Sequence, residues 1–526
     1  MRPSLHATAR LALAAAAGGL QTLSFAPVGA WWLQPFTLAV LWWLAATSTG
    51  LRAAALAGFV FGLTHFLTGF WWVFVSMHTY GEMPAALAGF ATVALAAYMA
   101  LYPALTAFVT RWLGQPRGLN AAAPTRWSPI VFACAWFLTE FLGRGVFLTG
   151  FPWLAAGYAH TDGLFTGWAT VFGVYGTSLV MALLAGSIGL AWMQRGRATV
   201  TAVLIAAIVL IVGSVARPQA TQTAASPDKL PALSVRLLQG NVPQSMKFEQ
   251  RTIVRAAEDY ISVTRAQPAD LIVLPETAFA TTPENFSQAY ALLAQAARDT
   301  GSTVLIGAPI FVGQTPYNAV IGYGPGGERL PLAYSKQHLV PFGEFVPLGF
   351  QWFVDAMKMP LGNFGRGTAD QQPFVVKGVK VMPNVCYEDV FGNEMRDEAA
   401  RADVLLNVSN LAWFGSSWAM PQHLQIARMR SIELGRPSLR ATNTGVTAAI
   451  DLTGRVLSEL PLNTQGSLNL TLRVEKRDTL YLQVGDWPLL ALTLLLLAMR
   501  FRERRQQPPP AAAKRAAEDV DYREAA

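Results

Sequence analysis

Cysteine is nearly absent from this chain. Two occur in 526 residues, Cys134 and Cys386, far apart and in unlike surroundings, which excludes a disulfide framework. The six histidines are scattered without an HxxxH pair, and no CxxC occurs, so no metal site is expected. Charge is also scarce, at 14% of residues against 52% hydrophobic. Acids are scarcest at the front, where Glu82, Glu140 and Asp162 are the only ones before residue 217. The formal charge of +8 does not point to nucleic acid, because the arginines lie beside apolar runs, as they do at membrane edges.

Long apolar runs are what the chain has in quantity. A helix needs about 20 mostly apolar residues to cross the hydrocarbon core. Seven such runs precede residue 217, at roughly 10–27, 30–48, 53–77, 85–110, 128–148, 164–193 and 198–215, and an eighth lies near 480–499. The first resembles a signal peptide, but no small-residue cleavage site is clear and a second run follows at once. The expected organisation is a seven-helix transmembrane bundle (1–217), a linker (218–230), an α/β domain (231–477), a last transmembrane helix (478–500) and a disordered tail (501–526). Arg2, Arg10, Arg52, Arg111, Arg117, Arg126, Arg195 and Arg197 alternate with loops almost free of basic residues, and Arg500, Arg502, Arg504 and Arg505 follow the last run. That asymmetry puts both termini in the cytoplasm and 217–480 outside it. Glu140 and Arg144 share a helix face in the fifth run. The pair is either functional or a structural ion pair near the interface.

Between the runs, residues 233–242, 269–276, 302–311, 318–324, 374–386, 403–408, 438–442, 445–451 and 468–474 read as strands. Residues 249–267, 283–300 and 419–434 read as helices. Buried apolar strands mixed with helices indicate an α/β layered fold with covered sheets.

Three residues stand out, two of them at strand ends, where such folds display catalytic groups. Glu276 closes LIVLPE, Lys336 sits in YSKQHLVPFGE with Glu344 eight residues on, and Cys386 ends VKVMPNVC. Cys386 is followed by Tyr387, Glu388 and Asp389, and those carboxylates oppose its ionisation. Either it is an inert core residue, or other groups activate it. Glu276 can take a thiol proton if burial raises its pKa, and Lys336 can stabilise a thiolate and an oxyanion.

These residues resemble the Glu-Lys-Cys triad of the nitrilase superfamily. With the membrane runs, the whole chain up to about residue 500 resembles the apolipoprotein N-acyltransferase family. FLTGFPW (147–153), GNVPQS (240–245), LVPFGEFVP (339–347), CYE (386–388), AWFG (412–415) and RSIELGRPSLRATNTGVTAAID (430–451) carry the resemblance. It implies an extracytoplasmic αββα sandwich joined to about eight spans, in the inner membrane of a bacterium with the catalytic domain on the periplasmic side. It implies Cys386 as nucleophile, Glu276 as base and Lys336 as oxyanion stabiliser, with Glu344, Tyr387, Glu388, Phe248 and Trp413 in support. The implied donor is a phospholipid, the acceptor a diacylglyceryl-cysteine apolipoprotein, and no cofactor is needed. Two departures stand out: Phe248 replaces a common Trp, and Leu411 replaces a usual Asp.

The stretch FVPLGFQWFVDAMKMPLGNFGRG (345–367) is unusually apolar for a loop. It either packs into the core or forms a membrane-dipping lid, with Trp352, Phe353, Met357 and Met359 as its apolar contacts. Two other functions fit parts of the sequence. A tethered nitrilase-like amidase would use the same triad but needs one span, and a transporter with an external domain would need a polar path through the helices.

Overall fold

The computed structural model describes residues 6–116, 124–194, 196–218, 230–347, 349–351 and 363–507. Helices stand at all eight places where apolar runs were read. Among the described residues, four helices are long and apolar enough to cross a membrane: Leu51–Gly69, Ala85–Leu113, Gly167–Met193 and Arg197–Val215. The others are shorter or more charged. Ala7–Thr22 has 16 residues, Gln34–Ala46 has 13, and Ser128–Leu138 has 11 before widening into a π-type turn at Thr139–Arg144. Trp487–Gln506 has 20 residues but ends in RFRERRQ.

Small residues let these helices approach closely, as packing in lipid favours. A Cβ on Gly58 would lie 2.4 Å from the carbonyl oxygen of Pro103, and one on Gly62 would lie 2.9 Å from Cα of Ala100. Three arginines gather at one end of the bundle. Arg10 donates to Leu44 O (2.7 Å), Arg111 to Ala46 O (3.4 Å) and Arg500 to Leu113 O (2.8 Å). At the other end the buried Glu140–Arg144 pair (3.2 Å) is a clamp. Glu140 accepts from Ala156 N (2.9 Å), Arg144 donates to Trp153 O, and the guanidinium lies over the Phe66 ring. The pair therefore holds the chain at 153–156.

Residues 232–473 form two six-stranded sheets. Strands are numbered in chain order: β1 Ala232–Gln239, β2 Leu271–Leu274, β3 Thr303–Val312, β4 Thr315–Tyr323, β5 Arg329–Ser335, β6 Phe374–Val376, β7 Val379–Val385, β8 Val404–Ser409, β9 Ser438–Thr442, β10 Ala448–Ile450, β11 Val456–Glu459 and β12 Gly466–Arg473. The orders are β12-β1-β2-β3-β4-β5 and β11-β10-β9-β8-β7-β6. In each sheet two parallel pairings at the centre are flanked by antiparallel ones. Strand alternation builds the layers. Leu271 and Val273 face Leu406, Val408 and Leu439 between the sheets, while Ile272 and Leu274 face helices Gln250–Ala266 and Ser287–Thr300. Helix Ala419–Leu434 covers the second sheet, completing an αββα sandwich.

That last helix is buried although it carries Gln422, His423, Gln425, Arg430 and Glu433. The helical bundle lies on its outer side, and each of these side chains makes at least one polar contact there or in the sandwich. Gln422 accepts from the indoles of Trp72 (3.2 Å) and Trp153 (2.8 Å), and Gln425 accepts from Ala26 N (3.0 Å). Gly173, at φ +67°, breaks helix Gly167–Met193, and the N–H of the next residue, Val174, donates to Glu433 (3.0 Å). A carboxylate of the sandwich thus satisfies a donor in the bundle.

Candidate active site

Glu276 stands two residues beyond β2, whose four residues are all buried. Its turn is tight, with Thr277 at φ +48°. Gly307 on β3 admits this turn, since a Cβ there would lie 2.6 Å from Cα of Glu276. The carboxylate, 7% exposed, accepts from Asn318 Nδ2 and from Asn410 N, both at 2.7 Å.

Lys336 directly follows β5 and is 1% exposed. Its Nζ meets both oxygens of Glu344, at 3.0 and 2.9 Å. Asn318 Nδ2 also donates to Glu344 (2.8 Å), so one amide bridges the two carboxylates. Burial works against the Lys336 charge, but Glu344 and Glu276 outweigh it and hold the pKa above its ordinary value.

Cys386 directly follows β7 and opens the turn Cys386–Val390 at φ +54°, a conformation non-glycine residues rarely adopt. The Glu388 carboxylate secures the turn. It accepts from Val385 N (2.6 Å), Gln337 N (2.6 Å), His338 N (3.2 Å) and Tyr334 OH (3.0 Å), tying the cysteine turn to the lysine loop. Burial lifts its pKa to about 6 despite these donors and Lys336. The Cys386 carbonyl accepts from Asn407 Nδ2 and His423 Nε2, both at 3.2 Å. Arg440 donates to His423 Nδ1 (3.0 Å) and pairs with Asp389. Arginine has no acceptor, so the imidazole proton sits on Nε2. Burial and the Arg440 charge depress the His423 pKa and keep the ring neutral. Trp153 stacks on this imidazole with centroids 5.6 Å apart.

The Cys386 thiol is held above its ordinary pKa by burial and by Glu276, with Lys336 pulling the other way and Glu344 adding to the rise. The resting group is therefore a thiol with a carboxylate and an ammonium close enough to act on it. Such a set can form and break an acyl-thioester.

The other expected residues lie in different settings. Tyr387 is buried, and its hydroxyl donates to Gly150 O (3.0 Å), joining the cysteine turn to FLTGFPW. Phe248 is 56% exposed. Trp413 is half-buried on the turn Ala412–Phe414. Leu411 is buried against Gly445. Trp352, Phe353, Met357 and Met359 lie outside the described residues. The chain after them returns to the site, where Phe364 N donates to Glu344 O (3.0 Å) and Gly367 N to Lys336 O (2.8 Å).

Asn318, Asn410, His423 and Arg440 were not read from the sequence. Asn410 follows a buried strand directly, the same signal that marked Glu276. Asn318 and Arg440 are flanked in their strands by the buried apolar residues Ala319, Leu439 and Ala441, which itself marks a buried polar function.

Known proteins resemble the chain along its length. Residues 17–187 match the family model described as apolipoprotein N-acyltransferase N-terminal domain, and 234–478 match the one described as carbon-nitrogen hydrolase. An apolipoprotein N-acyltransferase of Ralstonia nicotianae is 45% identical over 94% of this chain and 93% of its own. One of Bordetella bronchiseptica is 38% identical over 94% and 97%. Among solved structures, an amidase from Nesterenkonia sp. AN1 aligns with 51% of this chain and 98% of its own, at 21% identity and a TM-score of 0.39.

Proposed function

The chain belongs to the apolipoprotein N-acyltransferase family, and from that premise we propose that it moves an acyl chain from a phospholipid to the α-amine of a diacylglyceryl-cysteine protein through a thioester on Cys386. The observation that carries this reading is the shared Asn318 amide. It binds Glu276 and the Glu344 partner of Lys336 at once, so the base and the cation form one preorganised unit beside the thiol.

The chemistry runs in two halves. Cys386 Sγ attacks the ester carbonyl carbon as Glu276 takes the thiol proton. A C–S bond forms, and the negative charge that leaves Glu276 appears on the acyl oxygen near Lys336. The C–O bond to glycerol then breaks, the glycerol oxygen takes the proton from Glu276, and lysophospholipid departs. In the second half the acceptor amine attacks the thioester carbonyl and gives a proton to Glu276. The C–S bond breaks, and the sulfur is reprotonated. Thioesters are good acyl donors to amines, so the intermediate suits the product.

The bundle presents this site to lipid. We place eight spans in the inner membrane of a bacterium, both termini in the cytoplasm and the sandwich in the periplasm. The gathering of Arg10, Arg111 and Arg500 at the end away from the sandwich supports that orientation. A membrane-tethered amidase of small molecules is not favoured, because the curated relatives, named for N-acyl transfer, match the helical part as well as the hydrolase part.

Intact-mass measurement tests the proposal. Purified protein incubated with phospholipid should gain one acyl mass, lose it to hydroxylamine, and lose it to a diacylglyceryl-cysteine peptide that becomes N-acylated. Cys386→Ser should gain nothing. An unchanged wild-type mass under turnover conditions refutes the thioester.

A further inference from the structure

A second lysine lies in the site. Lys247, in GNVPQSMKF, is only 3% exposed. Its ammonium donates to the backbone carbonyl of Glu276 (3.3 Å) and to Thr277 Oγ1 (3.2 Å). Both bonds are long and both acceptors are neutral. Among the described residues no carboxylate pairs with it, whereas Lys336 holds both oxygens of Glu344. Burying an ammonium without a counter-ion is costly, and a neutral side chain would make the same two ties more cheaply. Burial draws its pKa down to about 8, while Glu276 and Cys386 draw it back up, so its charge acts on both reacting groups.

The charges around Cys386 explain such a residue. Glu276, Glu344 and Lys336 act on the thiol, and with Lys247 the set comprises two anions and two cations. When Glu276 takes the thiol proton, one negative charge leaves the carboxylate and appears on the acyl oxygen. The total stays at zero only if Lys247 is counted, because Lys336 is already matched by Glu344.

We propose that Lys247 is the second catalytic cation, whose ammonium balances the oxyanion formed as the Cys386 sulfur bonds to the ester carbonyl carbon. This rests on the acyl-transfer reading above. The competing role is a tie that only holds the Glu276 turn in place.

Single-turnover acylation by phospholipid separates the two roles. Lys247→Gln keeps hydrogen-bond donors to both acceptors but removes the charge. Thr277→Val removes one tie and keeps the charge. At saturating donor, Lys247→Gln should lose about 10²-fold in the acylation rate constant, as loss of one oxyanion donor does, with the half-saturating donor concentration unchanged. Thr277→Val should stay within about threefold of wild type. Thermal melting in detergent checks that each variant is folded, and Lys247→Met replaces Lys247→Gln if that variant fails to insert. Wild-type acylation by Lys247→Gln overturns the proposal. So does a loss in Thr277→Val as large as that in Lys247→Gln, or a loss that saturating donor restores. A wild-type protein that forms no acyl-enzyme fails the acyl-transfer reading instead, which keeps the two failures apart.

Discussion

The imidazole Nε2–H of His423 donates to the backbone carbonyl of Cys386 across 3.2 Å. The residue that receives this bond sits at φ +54°, so the bond helps maintain a strained backbone at the proposed nucleophile. His423 acts through Cys386 as a positioning residue. His423→Leu should slow acyl-enzyme formation about tenfold, a loss of roughly 1.4 kcal/mol in the barrier. His423→Gln offers an N–H to the same carbonyl and should recover much of it. Single-turnover mass kinetics decide the matter. Equal loss in both variants would mean that the ring fills space rather than holding the carbonyl.

Glu276 and Lys336 should move the Cys386 thiol in opposite directions. Glu276 raises the thiol pKa and Lys336 lowers it. Alkylation by iodoacetamide consumes the thiolate, so its rate against pH reports the thiol. In wild type the rate should still be climbing above pH ~9, since the thiol lies above the ordinary value. Glu276→Gln removes a raising charge and should shift the profile to lower pH. Lys336→Met removes a lowering charge and should shift it to higher pH. Both variants should nevertheless lose ~10²–10³ in acylation, one through its base and the other through its cation. Shifts of the same sign in the two variants would show that the charges do not act on the sulfur as assigned.

The arginine cluster at one end of the bundle makes the orientation testable. Single cysteines placed near residues 225 and 515 in a Cys-free background should respond oppositely to an impermeant maleimide on intact cells. The first should label and the second should not, because the proposed orientation puts the positive end in the cytoplasm. The reverse pattern would invert the membrane topology.

The residues proposed for the chemistry were more legible than their surroundings. Glu276 and Cys386 each close an apolar run in the sequence, and that run's strand signal locates them. Lys336 also follows a strand, but β5 was not read, because among RLPLAYS only Tyr334 is buried and a proline interrupts the run. An edge strand has no apolar alternation to betray it. Residues 374–386 read as one strand, whereas Lys377 and Gly378, at φ +47° and +82°, turn the chain between β6 and β7. Lys-Gly is a weaker hairpin signal than Asn-Gly. The 13-residue helix Gln34–Ala46 looked longer in sequence because apolar residues continue past both ends. The second lysine was passed over because nothing local marks PQSMKF as buried. Lys247 is enclosed by contacts to Glu276 and Thr277, about thirty residues away, and only the folded chain supplies them.

Gln422 offers the sharpest test of how the sandwich is held to the bundle. It is 2% exposed, and its single Oε1 accepts from two indoles of the bundle, Trp72 at 3.2 Å and Trp153 at 2.8 Å. Trp153 in turn stacks on His423, so the same contact reaches the cysteine turn. Gln422→Leu has similar bulk but strands both indole N–H groups, at about 1–3 kcal/mol for each buried donor left unpaired. The melting temperature in detergent should fall by several degrees. Acyl-enzyme formation should slow as well, because Trp153 loses the hydrogen bond that helps fix its ring beside His423. Trp153→Phe removes one donor and keeps an aromatic ring, so combining it with Gln422→Leu should cost less than the sum of the separate losses. Additive losses would mean that Gln422 and Trp153 act independently. A Gln422→Leu variant that melts and acylates like wild type would show that this shared acceptor does not join the bundle to the site.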